Sequence, residues 1–179
     1  MGCIQDNELL YEYGKEVARQ FREIGVHVNF APVADVDNNP LNPVINTRSF
    51  GGDPRNVAEK VVAYSMGLEK GGVLSVSKHF PGHGDTEVDS HKALPVLNFD
   101  RARLDSIELY PFKEVIHAGL GGIMAGHLEV PELGKNPASL SAHVIDNLLC
   151  RELGFRGLVF TDALEMKGVS NNLDVCARA

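Results

Sequence analysis

The sequence predicts an α/β fold with a parallel sheet: a segment of a (β/α)8 TIM-type barrel, about four consecutive βα units, cut at both ends. Three observations carry this. First, apolar, β-branched runs at 26–33, 73–80, 122–128 and 157–162 are continuously hydrophobic instead of alternating, as in parallel strands covered on both faces. Second, helical patterns lie between them, which gives repeated βα units. Third, the runs lead at their carboxyl ends to Asp35, Lys78-His79, His127 and Asp162, whereas their amino ends are Gly and aliphatic. A barrel places its chemistry at the carboxyl ends of several strands. A doubly wound sheet favours a Gly-rich first turn, and Asp35-Val36-Asp37-Asn38-Asn39-Pro40 is not one.

The elements follow in order. A first helix starts at the N-cap Asp6, sets Leu9, Leu10, Tyr13, Val17, Phe21 and Ile24 at helical spacing, and stops at Gly25. A second opens with Asp53-Pro54, a cap followed by proline at the first helical position, and ends at Gly71-Gly72. A third spans 100–118, where Pro111 kinks or splits it. A fourth begins near Ser141, presents Val144, Ile145, Leu148, Leu149 and Leu153 on one face, and stops at Gly154. Four units cannot close an eight-stranded barrel, which usually takes ~250 residues. The expectation is one partial domain over residues 1–179.

Composition narrows the function classes. A net charge of −7 supplies no basic stripe for phosphates, so nucleic acid is not an expected partner. No apolar run approaches the ~18 residues of a membrane span. The first residues show no signal-peptide pattern, so the chain as given reads as cytoplasmic. Cys3, Cys150 and Cys176 are too far apart for a metal motif and odd in number, which suits free thiols.

Chemistry concentrates at Lys78-His79-Phe80-Pro81-Gly82-His83-Gly84-Asp85-Thr86, closing on Asp89-Ser90-His91. Lys, Asp and clustered His are costly near a core unless paired or used. The carboxylate of Asp89, two residues from the His91 imidazole, can hold that ring in one tautomer, as a general acid/base requires. His79 and His83 have the i, i+4 spacing of a helical zinc pair, but Pro81-Gly82 forbids a helix there, which argues against a zinc-binding domain.

With Asn29-Phe30-Ala31-Pro32-Val33-Ala34-Asp35, Asn46-Thr47-Arg48-Ser49-Phe50-Gly51 and Phe160-Thr161-Asp162-Ala163-Leu164-Glu165-Met166, in this order, the motif resembles glycoside hydrolase family 3, in its β-N-acetylglucosaminidase (β-N-acetylhexosaminidase) branch. The resemblance implies a retaining hydrolase of terminal β-linked N-acetylglucosamine in peptidoglycan- or chitin-type fragments. Asp162 would be the nucleophile that forms a covalent glycosyl intermediate. His91 would be the acid/base and Asp89 its partner. Arg48, Lys78 and His79 would bind the sugar. The partner is then a small carbohydrate, with no cofactor and no metal. His83, Asp85 and Thr86 would shape the loop through local hydrogen bonds. The Gly- and Pro-rich loop is expected to move and close over substrate. His127 shares the active face, where contact with substrate stays open. Asp162 alternatively caps a following helix. The early strand with its acidic sugar-binding residue and the last strands of the family have no counterpart in the sequence. An inactive fragment of such an enzyme is therefore the other reading.

Overall fold

Residues 1–89 and 93–170 are described by the computed structural model. Four strands, β1 (Val28–Asn29), β2 (Leu74–Phe80), β3 (Gly122–Ala125) and β4 (Leu158–Thr161), pair in sequence order, every pair parallel. Consecutive parallel pairing brings all carboxyl ends to one rim. The rings of Phe30, just past β1, and Phe160, on β4, meet edge to face with centroids 5.2 Å apart. In a flat sheet three strand spacings would separate the edges by roughly 14 Å. The sheet is therefore rolled, with both rings on its concave side, as a barrel segment must be.

β2 and β3 are almost wholly buried, as their unbroken apolar runs predict. Two strands depart from expectation. The run 26–33 pairs only as Val28–Asn29 and rejoins β2 through a bridge from Val33 to Lys78. Between them the Ala31 amide turns back onto the Asn29 carbonyl at 2.8 Å, and Pro32 has no amide to offer. β4 is largely exposed, although its sequence reads as buried. Among the described residues it pairs only with β3, so it is an edge strand without the cover that an inner strand receives.

The helices α1 (Asn7–Glu23) and α2 (Pro54–Lys70) begin where their caps predict: Asp6 accepts from the Glu8 amide at 2.9 Å and Asp53 from the Asn56 amide at 2.8 Å. They cross closely at two glycines. A Cβ on Gly67 would sit 2.1 Å from the Tyr11 carbonyl oxygen, and one on Gly14 2.4 Å from that of Tyr64. The inner face of α2, with Val57, Val61 and Leu68, joins Leu10, Phe80, Phe112 and Ile123 in the core. Each such side chain contributes about 1.5–3 kcal/mol of burial.

Pro111 splits the third predicted helix into α3 (Arg101–Ser106) and α4 (Tyr110–His117), in whose first turn it stands. There its missing amide costs nothing, whereas inside a continuous helix its ring would strike the carbonyl four residues back. The fourth predicted helix is wound as a π-helix, His143–Glu152, with Val144, Leu148 and Leu149 buried. A short helix α5 (Lys167–Ser170) ends the described chain. Among the described residues no helix is long and apolar enough to cross a membrane.

Candidate functional site

Asp35 is the pivot of the rim, and sequence reasoning gave it no role. It stands two residues beyond Val33, where β1 rejoins β2, and is fully buried. Its carboxylate accepts the His79 amide at 3.1 Å, the His83 amide at 2.7 Å and the His79 ring Nδ1 at 2.7 Å. Burial alone would push this carboxyl up. The charge and hydrogen bonds of His79, with help from His83, outweigh it and hold Asp35 below the ordinary carboxylate range. His79 is thereby fixed in orientation, with Nε2 as its remaining ring nitrogen. The available signal was a lone carboxylate after Ala-Pro-Val-Ala, which needs a partner if buried.

Lys78 precedes His79 through a cis peptide bond and is half-buried. Its ammonium is shifted below the usual lysine value, first by burial and then by the like charge of Arg48, while Asp162 and Asp35 pull the other way. Arg48, Asp162 and Asp35 thus each lie within electrostatic reach of Lys78. Arg48 sits on the 3₁₀ turn Asn46–Arg48, exposed, and its guanidinium donates to the Val44 carbonyl at 3.3 Å. A cleft of about 280 Å³ beside it is lined by Lys78, Arg48 and the apolar walls of Phe30, Pro32 and Phe50. Fixed cationic donors beside aromatic surface suit a ligand dense in oxygen acceptors with apolar faces.

Asp162 follows β4 directly. Its amide donates to the Ala125 carbonyl at 3.0 Å, and its Oδ1 accepts from the next amide, Ala163, at 2.8 Å. It does not cap a helix, because α5 begins only at Lys167. His127 is fully buried. Its Nε2 meets the Ala163 carbonyl at 2.8 Å and its Nδ1 meets the Ser139 hydroxyl at 2.6 Å, so neither nitrogen is open to a ligand.

The loop after β2 contradicts the expected mobility in its first half. His83, Gly84 and Thr86 are buried. Thr86 Oγ lies 2.7 Å from His83 Nδ1, and the Asn42 amide donates to the His83 and Gly84 carbonyls at 2.8 Å each. Burial moves the His83 imidazole below its usual value, against the opposing pull of Asp35. Arg103 grips Asp85 at 2.9 Å and Glu108 at 3.0 Å while lying 4.2 Å over the Phe99 ring. Gly84 serves proximity, not freedom: a Cβ there would lie 1.8 Å from the Val36 carbonyl oxygen. His83, Asp85 and Thr86 therefore shape the loop as expected, but the sequence did not disclose Asn42 and Arg103 as their anchors. Asp89 is half-buried, and its carbonyl accepts the Ala93 amide at 3.1 Å. His91 lies outside the described residues. Among the described residues no three His, Cys, Asp or Glu side chains are grouped to share a metal ion.

The profile of the glycosyl hydrolase family 3 N terminal domain matches residues 1–178. A beta-hexosaminidase A of Pseudoalteromonas piscicida is 42% identical over 168 residues, 87% of this chain and 28% of that protein. A beta-hexosaminidase of Nitrosomonas eutropha is 36% identical over 185 residues, all of this chain and 53% of that protein. The chain thus spans about half or less of the length of these relatives. The solved structure of a glycoside hydrolase family 3 beta-N-acetylglucosaminidase from Paenibacillus sp. str. FPU-7 superimposes with a TM-score of 0.93 at 45% identity, covering 96% of this chain and 33% of that one.

Proposed function

Because the chain belongs to the glycosyl hydrolase family 3 N terminal domain family, we propose that it carries the catalytic half-site of a retaining β-N-acetylglucosaminidase. The observations that bear most weight are the cleft lined by Lys78 and Arg48 together and the buried Asp35–His79 pair next to Lys78 in the chain, with Asp162 at the end of β4. Asp162, held at a strand end by its own amide, attacks the anomeric carbon and forms a glycosyl ester with inversion at that carbon. His91, as an imidazolium with Asp89 as its partner in the reaction, gives its proton to the departing glycosidic oxygen. The neutral ring then takes a proton from water as the water opens the ester, and the second inversion restores the starting configuration. Arg48, Lys78 and His79 donate to sugar hydroxyls, contacts that strengthen as charge develops. The substrates are terminal β-linked N-acetylglucosamine units of peptidoglycan or chitin type.

The test is turnover of a chromogenic N-acetyl-β-glucosaminide by this chain beside a full-length relative. Asp162→Asn should lower kcat by at least about 10³-fold and abolish the ester-linked glycosyl adduct seen by mass spectrometry. An active Asp162→Asn variant refutes the assignment. An inert wild-type chain beside an active relative would instead favour the reading as a fragment without activity of its own.

A further inference from the structure

His127 is buried, titratable and unused by the mechanism above, yet it touches the residue next to the proposed nucleophile. We propose that His127 is a positioning residue that fixes the Asp162–Ala163 corner through its ring Nε2–H. This rests on the reading of Asp162 as the nucleophile.

The hydrogen-bond roles follow from the partners. The Ala163 carbonyl only accepts, so the 2.8 Å contact requires the proton on Nε2. In the neutral ring Nδ1 then accepts the Ser139 hydroxyl at 2.6 Å. Ser139 is itself set by its amide, which donates to the Gly126 carbonyl at 3.2 Å, while the neighbouring Ala138 amide donates to Leu128 at 2.8 Å. The segment carrying Ser139 is thereby strapped to the chain on either side of His127. On the other flank the Asp162 amide donates to Ala125 at 3.0 Å, and the Ala163 carbonyl also receives the Met166 amide at 3.1 Å. The imidazole is thus a rigid strut between the end of β3 and the turn after β4. It holds the carbonyl next to Asp162 without touching substrate.

A nucleophile at a strand end needs such a strut. The Asp162 amide bond fixes only the start of the corner, and past it the chain leaves the sheet at an edge strand. A misplacement of about 1 Å at a reacting centre costs about 10²-fold in rate.

Three variants separate the bonds. In His127→Asn the side-chain amide reaches the Nδ1 position and keeps only the Ser139 contact. In His127→Gln it reaches the Nε2 position and keeps the donor to Ala163. His127→Ala keeps neither. Expected are a kcat lower by about 10²-fold with KM within about twofold for His127→Asn and His127→Ala, and recovery of at least about tenfold in His127→Gln. Hydrogen exchange at the Asp162 and Met166 amides should quicken in the first two variants and stay near wild type in the third. If His127→Asn keeps wild-type kcat and exchange, or if His127→Gln is no better than His127→Asn, the strut is overturned. Should His127→Ala not fold, the Asn–Gln pair decides alone. If the wild-type chain shows no turnover, as a fragment without activity of its own would, the exchange pattern alone decides the strut.

Discussion

Replacing Asp35 by Asn tests whether the rim is held together by one buried carboxylate. Asn keeps the shape but removes the charge and turns an NH2 group toward donors. Three donors converge on the wild-type carboxylate: the His79 and His83 amides and the His79 ring nitrogen. Hydrogen bonds to a charged group are worth about 1.5–3 kcal/mol each. Asn retains one acceptor oxygen and cannot serve all three donors, so the expected loss is about 3–5 kcal/mol, a large share of the ~5–15 kcal/mol total stability of a domain. Urea unfolding at pH 7 should show a lower midpoint with an unchanged slope. The pH dependence has a definite sign. Asp35 is held below its ordinary value of 3.8, so its contribution is complete above that value and disappears as pH falls through the lowered native one. The gap between wild type and Asp35→Asn should therefore close on acidification. A loss under about 1 kcal/mol that is the same at every pH would refute the reasoning.

Three other predictions follow from the same packing. Arg103→Met leaves Glu108 buried without its cation and should cost about 3–5 kcal/mol at pH 7. Burial already raises the Glu108 carboxyl above 4.5, outweighing Arg103, so its penalty grows as pH rises and the defect should shrink toward pH 4 by urea titration. Gly84→Ala should destabilise by about 1–3 kcal/mol or more and quicken amide exchange across 83–86, because its methyl meets the Val36 backbone. Arg48→Gln removes a like charge from Lys78 and should move the lysine ammonium upward, read by NMR of the reductively methylated amine; an unchanged titration would place Arg48 out of reach.

How much of this was legible depends on the range of each interaction. The helix starts at Asp6 and Asp53 and the break at Pro111 were readable because caps and proline act within a few residues. The buried strands β2 and β3 were readable because cover on both faces writes an unbroken apolar run. β4 carries the same kind of run yet lies exposed, since only neighbours distant in sequence decide whether an edge is covered. The loop after β2 looked mobile by its glycines. Gly84 instead admits the backbone of Val36, a contact between strand ends that no local pattern records.

The sequence by itself determined the alternation of elements, the residues that end each strand and the family to which they belong. Periodicity, caps and motif residues are local, and parallel pairing then brings all strand ends to one rim. Tertiary structure alone decided what each of those residues meets. It gave Asp35 two imidazole-bearing residues to orient, withdrew His127 from the ligand face to brace Asp162, and made Asn42 and Arg103 the anchors of the loop. These roles arise from pairings across tens of residues, where burial makes an unpaired charge or carbonyl costly and so selects the partner.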